Sequence, residues 1–431
     1  MNRETYIVIS RAVAALIALA AGRVDAASVN SIVTDAVQHN PELDSYRAAI
    51  AVARGERRTA AEFPNPDVAT ELGTKTEIPQ GGSSGAGPGP LWTVAVLQPI
   101  DFASRRALRR AIADRQIALA EVALANFELE LANRVRLLAW QAIIWRKKAA
   151  AAQDVAARFS DLTRVLDERA PSGVAPALDA RITEANALAL ERMRVEAETQ
   201  MRTALYQLNQ LRGAPADAPM DLEEEKLRLT PLASTAQLLA RARSGNFELQ
   251  MRQLELEQQG YKVQLSRSEK WTGISAGPFV HRETASTHDL MAGVSVRFPL
   301  PLWNQHQGAI ESAKARELQA AATLNATLRR VENELAGAAG IYDARLREIA
   351  RWTPEVLGRM REAAETADKN YRLGAIPLVT YTELQKEYLD AQTALLTAQA
   401  NALEARQKVE LLIGARESRG RTLQSTTQMS K

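Results

Sequence analysis

One short stretch in the second half of the chain brings together side chains of the types that bind metal ions. His281, Glu283, His288 and Asp289 lie within nine residues, and their nitrogen and oxygen atoms could form a weak site for a divalent transition metal. A solvated loop between two strands is the favoured interpretation of this cluster. We therefore predict no metal site here.

No pattern in the sequence predicts catalysis. The glycine-rich stretch PQGGSSGAGPGP (residues 79–90) lacks the Gly-Lys-Ser/Thr ending that binds phosphate in nucleotide sites. Ser, His and Asp residues occur, but no nucleophile motif surrounds them. The chain has no cysteine, which excludes disulfides, thiolate metal ligands and a Cys nucleophile. We predict no catalytic residues and no cofactor, and hence a protein that is not an enzyme.

The composition favours long helices. Only 5% of the 431 residues are aromatic, while Ala, Leu, Glu, Arg and Gln dominate. The 54 basic and 51 acidic residues nearly balance, giving a net charge of +3. Because no basic run stands out, nothing indicates a nucleic acid as partner.

Residues 1–26 are predicted to be a signal peptide for export. Arg3 and Arg11 precede an apolar run over residues 12–21, and small residues follow it. This run of ten residues is too short to span a bilayer, which requires about 20. A cytosolic protein with an apolar N-terminal helix is the alternative. If the chain is exported, it is either soluble or inserted in a membrane as a barrel.

The remainder of the chain is a tandem duplication. Four pairs of segments match in the same order at offsets of 200 to 206 residues, among them NPELD with NFELQ, GVAPALDA with GAIPLVTY, and LRGA with LIGA. The predicted first repeat covers residues 27–225 and the second covers 226–415. A polar C-terminal tail, 416–431, follows.

Each repeat is predicted to contain a helix, a β-hairpin, a long helix, a tip turn and a final helix. The hairpins are expected at about 67–99 and 273–299, and the tip turns near 171–177 and 373–378. Along residues 290–298 the apolar side chains of one face alternate with Met, Gly, Ser and Arg on the other. This alternation is typical of a strand between lipid and a wet lumen, and strands of about nine residues can cross a tilted barrel wall.

The long helices carry an apolar residue at every seventh position, over residues 117–166 in the first repeat and 381–409 in the second. Such a stripe predicts a left-handed supercoil. A continuous helix from Ser104 to about Ala170 would extend roughly 100 Å at 1.5 Å per residue. That length exceeds a compact domain and predicts a projecting rod.

Three tryptophans are predicted to mark the edges of the membrane. Trp271 and Trp303 flank the helical ends of the strands, and Trp92 lies at the opposite end of its strand, as in the aromatic girdle of a barrel. Core tryptophans at domain corners are the alternative. Four strands cannot close a barrel, and open edges are not tolerated in lipid. Several copies must therefore share one barrel, and three would supply twelve strands.

With this layout, the chain resembles the TolC family of trimeric outer-membrane efflux channels over essentially the whole mature sequence. The strip FPLPLWNQHQGAI (residues 298–310) is similar to the PLPLFxRNQG pattern of the CzcC-like branch, whose members serve heavy-metal resistance. The resemblance implies a mainly α protein with a small β part: tandem-duplicated coiled-coil helices and four transmembrane strands per chain, forming a trimeric 12-stranded barrel on an α-helical tunnel.

The same resemblance implies a function in the outer membrane of a Gram-negative cell, with the tunnel extending into the periplasm. The homotrimer would be the passive duct of a tripartite efflux system. A periplasmic adaptor would couple it to an inner-membrane pump of the resistance–nodulation–division (RND) type, and heavy-metal cations would be the cargo. Two alternatives stay open: the same channel exporting drugs, dyes or secreted polypeptides, and a periplasmic coiled-coil adaptor or scaffold without a barrel.

The tip turns combine Gly173 with Pro176 and Gly374 with Pro377. Glycine permits a left-handed helix cap, and a proline suits the first turn of the next helix. Simple chain reversal would explain this pattern. The family resemblance implies in addition that the tips lie at the periplasmic mouth and contact the adaptor.

Four residues near the tips are aperture or gate candidates because of the resemblance. Asp179 and Glu383 match acidic positions near the mouth, and Tyr371 matches a gate tyrosine. The arginine expected two residues beyond the second tip glycine is Ile376, and Arg372 is the proposed substitute. Rings of identical carboxylates in a trimer would attract cations.

Overall fold

The computed structural model of the chain describes residues 27–76, 88–169, 174–224, 226–269, 273–284, 288–299, 303 and 305–415. The predicted signal peptide and the C-terminal tail lie outside these residues. The described part is mostly helical with one four-stranded sheet, which confirms the predicted mainly α fold class. Among the described helices, none contains a stretch long and apolar enough to cross a membrane.

The elements follow the same order in both halves. The first half contains α1 (Val29–His39), α2 (Glu42–Ala61), β1 (Asp67–Lys75), β2 (Gly89–Ile100), α3 (Ala103–Arg169) and α4 (Val174–Leu211). The second half contains α5 (Thr235–Gly245), α6 (Phe247–Ser268), β3 (Ile274–Thr284), β4 (His288–Arg297), α7 (Gln307–Ile349), α8 (Pro354–Arg372) and α9 (Leu378–Leu412).

These elements form two compact units. A helical unit consists of the residues up to Leu43, Phe127–Asn246 and the residues from Val331 onward, and a sheet unit consists of Asp44–Asn126 and Phe247–Arg330. The predicted continuous helix from Ser104 to about Ala170 is confirmed as the 67-residue helix α3.

Three predicted continuous helices are each divided in two. The opening helix of the second repeat is broken at Asn246, without a proline after it, and the other two divisions precede a proline. The predicted opening helix is broken at Asn40, before Pro41, and the predicted long helix of the second repeat is broken at Thr353, before Pro354. Asn40 has φ −64° and ψ 123°, and Thr353 has φ −70° and ψ 156°. The proline ring disfavours the helical conformation at the residue before it, so no helix continues through Asn40 or Thr353; α7 has already ended at Ile349.

The sheet unit contains one antiparallel sheet with strand order β1-β2-β3-β4. Its central pair joins the two halves of the chain, with Val94 opposite Val280. All three strand pairs place even-numbered residues opposite even-numbered residues, so these residues share one face. We call this the even face and the other the odd face.

The strand ends that are adjacent in sequence to the helices lie together at one edge of the sheet, which we call the helix edge. The strands β1 and β3 begin there after α2 and α6, whereas β2 and β4 end there before α3 and α7. At the opposite edge β1 and β3 end, and β2 and β4 begin. This arrangement places all helices of the unit on one side of the strands.

The apolar stripes form the core of the helical unit, as predicted. Buried residues at the seven-residue spacing are Leu131, Leu138, Ala152, Phe159 and Leu166 of α3, and Tyr381, Tyr388, Ala402 and Val409 of α9. Parts of α3, α4, α8 and α9 share one hydrophobic cluster. Packing of these stripes therefore positions the tip of the helical unit.

A buried asparagine closes the last helix of each half in the same way. Asn40 donates its side-chain amide to the carbonyl of Leu211 (2.7 Å), and Asn246 donates to the carbonyl of Leu412 (2.9 Å). Both satisfy a helix-end carbonyl that would otherwise have no intrahelical partner. The matching motifs NPELD and NFELQ therefore have a shared structural role.

Candidate channel gate and membrane-facing surface

The second tip turn has the left-handed glycine that the sequence predicts. Gly374 has φ +73°, and its N–H donates to the carbonyl of Tyr371, while the N–H of Ala375 donates to the carbonyl of Asn370. These two bonds form a Schellman cap at the end of α8. Pro377 is the N-cap of α9 with φ −74°, one position before the first helical turn that the sequence predicted for it.

The first tip turn is described only in part. Gly173 lies outside the described residues, and Pro176 lies in the first turn of α4, which begins at Val174. The backbone position of this proline is the one predicted for it. Proline is tolerated there because the first helical residues need no N–H donor.

Two of the four gate candidates form a direct contact. The hydroxyl of Tyr371 in α8 donates a hydrogen bond to Oδ2 of Asp179 in α4 at 3.0 Å. Both side chains are half-buried. A hydrogen bond to a charged acceptor is stronger than one between neutral groups. This contact ties the helix before the second tip to the helix after the first.

Aromatic packing fixes the ring of Tyr371. It stacks on Tyr381 of α9 with ring centroids 5.4 Å apart, and Tyr381 meets Phe159 of α3 edge-to-face, also at 5.4 Å. Both Tyr381 and Phe159 are fully buried. Sequence reasoning placed these two residues in the apolar stripes but missed their contact with the gate tyrosine, since spacing within a helix does not show which helix lies opposite.

The hydroxyl of Tyr381 is an unusual feature of this cluster. It is buried and has no hydrogen-bond partner among the described residues. Burial raises the pKa of Tyr381 well above its ordinary value of 10.0, and the nearby carboxylate of Asp368 acts in the same direction. The aromatic cluster therefore favours the neutral tyrosine strongly.

A buried glutamine also joins the tip helices, and sequence reasoning missed it. Gln385 is fully buried and donates its amide to the carbonyl of Ala364 at 2.7 Å, which connects α9 to α8. Its place in the apolar stripe, four residues after Tyr381 and three before Tyr388, is the signal that could have identified it.

The other two gate candidates have different surroundings. Arg372 donates to Oδ2 of Asp368 at 2.9 Å within its own helix, and this hydrogen bond raises the pKa of Arg372. The structure thus gives it an intrahelical partner and not Asp179. Glu383 lies on α9 with an exposed side chain, where it is accessible to cations from solvent.

The even face of the sheet is apolar and exposed. Leu72 is 85% exposed, and Leu290 and Val294 are each 72% exposed. Other exposed apolar residues on this face are Val68, Val94, Val96, Ile100, Val280 and Val296. An apolar surface of this kind indicates contact with a membrane or a protein partner.

The three predicted girdle tryptophans are placed unequally. Trp92 is half-buried and lies near the hairpin edge, opposite Leu72 and Arg282. Trp303 follows β4 and is 93% exposed. Trp271 lies outside the described residues. Two of the three positions thus flank the sheet at opposite edges.

The odd face carries a polar network. Lys75 donates to Glu283 at 2.7 Å, and His281 lies 2.9 Å from the hydroxyl of Thr93 and 3.5 Å from Glu283. Within the described ranges, no group of three His, Asp or Glu side chains is arranged to hold a metal ion. The two faces of the sheet therefore differ in polarity, as the alternation in sequence predicted.

A duplicated helical chain with this sheet has the architecture of an outer-membrane channel protein. The chain matches the model of the family "Outer membrane efflux protein" over residues 32–214 and 238–415, and it therefore belongs to that family. Members of this family are passive efflux channels and not enzymes. Membership of this family also rules out the alternative of a periplasmic adaptor without a barrel.

Solved structures with the same fold share little sequence with this chain. A membrane protein from Pseudomonas aeruginosa has a TM-score of 0.75 at 17% identity, covering 91% of this chain and 92% of its own. VceC from Vibrio cholerae has a TM-score of 0.71 at 17% identity, covering 90% and 96%. CusC has a TM-score of 0.71 at 13% identity, covering 90% and 92%. A search of curated proteins finds no significant match.

Proposed function

We propose that this protein is the outer-membrane channel of a tripartite efflux system, a homotrimer that acts as a passive export duct through the periplasm. The observation that carries the proposal is the exposed apolar even face of a sheet whose outer strands, β1 and β4, each have one unpaired side. Within the described residues, β1 pairs only with β2, and β4 pairs only with β3.

The open edges require partner strands in a membrane. In lipid, each unpaired backbone N–H or C=O group costs roughly several kcal/mol. Four strands cannot close on themselves to form a barrel. If β4 of one copy pairs with β1 of the next, three copies supply twelve strands. Trp92, Trp271 and Trp303 would then form the aromatic girdle at the two edges of the barrel.

The tip of the helical unit is the proposed gate. The hydrogen bond between Tyr371 and Asp179 holds the helix pair α8–α9 against the helix pair α3–α4 when the aperture is closed. When this hydrogen bond breaks, α8 is released from α4. Exposed Glu383 and the carboxylate of Asp179 attract cations, while Arg372 keeps its partner within α8. The tip turns at Gly173, Pro176, Gly374 and Pro377 contact a periplasmic adaptor, which couples the duct to an RND pump.

Heavy-metal cations are the proposed cargo. The support is the similarity of residues 298–310 to the CzcC-like pattern, together with carboxylates at the proposed mouth, since acidic rings favour cations. Drugs, dyes or secreted polypeptides are the alternative cargo, because a passive duct need not select the molecules that its pump delivers.

Reconstitution tests the channel, and a deletion strain tests the cargo. Purified protein in a planar bilayer is expected to give stepwise conductance, and chemical crosslinking in detergent is expected to stop at the trimer. Absence of conductance would contradict the proposal. Deletion of the gene is expected to sensitise cells to divalent metals and not to ethidium, and the reverse pattern would favour the alternative cargo.

A further inference from the structure

Four arginines lie in the first two turns of α3, at the helix edge of the sheet. They are Arg105, Arg106, Arg109 and Arg110, and the first turn contains no acidic residue. Helix N-termini carry a partial positive charge and normally attract acidic side chains. This segment therefore concentrates positive charge where the helix itself disfavours it.

Two of these arginines have partners within the sheet unit. Arg105 is 6% exposed and donates to the carbonyl of Ser268 at 2.8 Å. Arg109 donates to Asp101 at 2.9 Å, and the side chain of Asp101 is 7% exposed. These contacts hold both side chains in place, and Arg109 is paired with an opposite charge.

The other two arginines have no ion pair with the described residues. The guanidinium of Arg106 lies 3.8 Å from the ring centroid of Phe63, and its Nε is buried without a hydrogen-bond partner in the described part of the chain. Arg110 is exposed and donates weakly to the carbonyl of Arg106 at 3.4 Å. Both guanidinium groups therefore have donors left for an anion.

This arginine pair lies beside the apolar face. Gln98 shares the even face with Val96, and its amide donates to the carbonyl of Pro64 at 2.8 Å. The contact places the segment that carries Phe63 on the side of the even face. Phe63 itself is 66% exposed, and Ile100 at the end of β2 is also exposed on this face.

We infer that Arg106 and Arg110, together with Phe63, bind the phosphate of an anionic phospholipid in the membrane leaflet next to the helices. The inference rests on the proposed function, which puts the even face in lipid. Guanidinium groups bind phosphate oxygens through several donors, and aromatic rings favour the headgroup level. The acyl chains would lie along Val96 and Ile100.

A free phosphate ion would meet the same guanidinium donors, but it would gain nothing from an exposed phenyl ring or an apolar strand end. A lipid uses both, because its headgroup and its acyl chains are covalently joined. The arrangement of charge, aromatic ring and apolar surface in that order therefore favours the lipid as ligand.

Native mass spectrometry of the full-length protein in detergent tests this site. Wild type and the double variant Arg106→Gln/Arg110→Gln are compared for retention of phosphatidylglycerol and of phosphatidylcholine with the same acyl chains. The matched control is Arg192→Gln/Arg202→Gln, which removes two exposed arginines from α4. Circular dichroism checks that all three proteins fold alike.

Wild type and control are expected to prefer phosphatidylglycerol, and the double variant is expected to lose about 10- to 30-fold of that preference, since each arginine near an anionic surface contributes to binding. Millimolar inorganic phosphate should leave lipid retention unchanged; displacement by phosphate would show a free-anion site and overturn the inference. Equal preference in wild type and double variant would overturn it as well. If the protein conducts in bilayers without lipid preference, only this inference fails, whereas loss of conductance in wild type refutes the proposed function and this site together.

Discussion

The hydroxyl of Tyr371 and the carboxylate of Asp179 lie 3.0 Å apart although they are 192 residues apart in sequence. This contact connects α8 of the second half to α4 of the first, beside both tip turns. The stack of Tyr371 on Tyr381 holds the donor in place. A substitution of either residue should therefore change how freely the helix pairs α3–α4 and α8–α9 move relative to each other, while the hydrophobic core stays folded.

Removal of this hydrogen bond is expected to favour the open channel. Tyr371→Phe keeps the ring and its stacking but loses the donor, which is worth about 1.5–3 kcal/mol when the acceptor is charged. Higher single-channel conductance or longer open time in planar bilayers is the expected result. Tyr206→Phe, which makes the same change at an exposed residue of α4, should behave like wild type. If Tyr371→Phe conducts like wild type too, the hydrogen bond does not close the channel.

The two acidic gate candidates are expected to give different phenotypes. Glu383 is exposed, so Glu383→Gln should weaken block by divalent cations at the mouth and leave basal conductance unchanged. Asp179→Asn should alter both properties, because Asp179 also accepts the hydrogen bond from Tyr371. Voltage-clamp titration with a divalent metal measures the block. Unchanged block in both variants would remove these carboxylates from the aperture.

Two left-handed glycines should differ sharply in their tolerance of alanine. Gly374 and Gly414 have φ of +73° and +64°, so the backbone cost is similar, about 1–2 kcal/mol. A Cβ at Gly374 would meet no atom of the described residues within 4 Å, whereas a Cβ at Gly414 would lie 2.0 Å from the carbonyl oxygen of Gly245.

Gly374→Ala should therefore lower the free energy of unfolding by about 1–2 kcal/mol, and Gly414→Ala by more than about 4 kcal/mol. Denaturant unfolding in detergent, followed by far-ultraviolet circular dichroism, measures both. Similar losses in the two variants would show that the close approach to Gly245 relaxes at little cost.

Alkaline pH should destabilise the tip through Tyr381. Its pKa is raised in the folded state, so the unfolded chain loses this proton near pH 10 while the folded chain keeps it. The stabilisation is complete below pH 10 and is lost as the pH rises towards the folded pKa, by up to about 1.4 kcal/mol per pH unit. Tyr381→Phe should reduce this slope.

The variant Tyr381→Phe also shows whether the buried hydroxyl of Tyr381 stabilises the fold through a hydrogen bond. Because the hydroxyl of Tyr381 has no partner among the described residues, Tyr381→Phe should not lower stability at pH 8. Tyr342 and Tyr388, whose pKa values burial also raises, retain their part of the alkaline slope. If the free energy of unfolding of Tyr381→Phe falls as steeply between pH 9 and pH 11 as that of wild type, Tyr381 does not contribute to the alkaline destabilisation.

Local patterns predicted much of this fold. The seven-residue stripes identified the buried faces of α3 and α9, the alternation along 290–298 identified the apolar face of β4, and the Gly-Pro pair at 374–377 identified the tip turn. The helix breaks before Pro41 and Pro354 were missed although a proline signals each of them. The break at Asn246 has no proline to signal it.

The long-range contacts could not be predicted from patterns within one element. The pairing of β2 with β3 depends on how the two halves meet. The family resemblance identified Tyr371 and Asp179 as gate candidates, but nothing in the sequence indicated that they contact each other. Arg372 was expected to act in the gate, yet its partner is Asp368, one turn earlier in α8. Intrahelical pairs at this spacing compete with distant partners and involve no loop closure.

The pairing of β2 with β3 also constrains the order of assembly. Val94 and Val280 face each other across 186 residues of chain, so the central strand pair of the sheet cannot form until β3 (Ile274–Thr284) has been synthesised. Contacts this distant in sequence are slow to form. Until then the β1–β2 hairpin has two unpaired edge strands and an exposed apolar face, and both features favour aggregation of the incomplete chain.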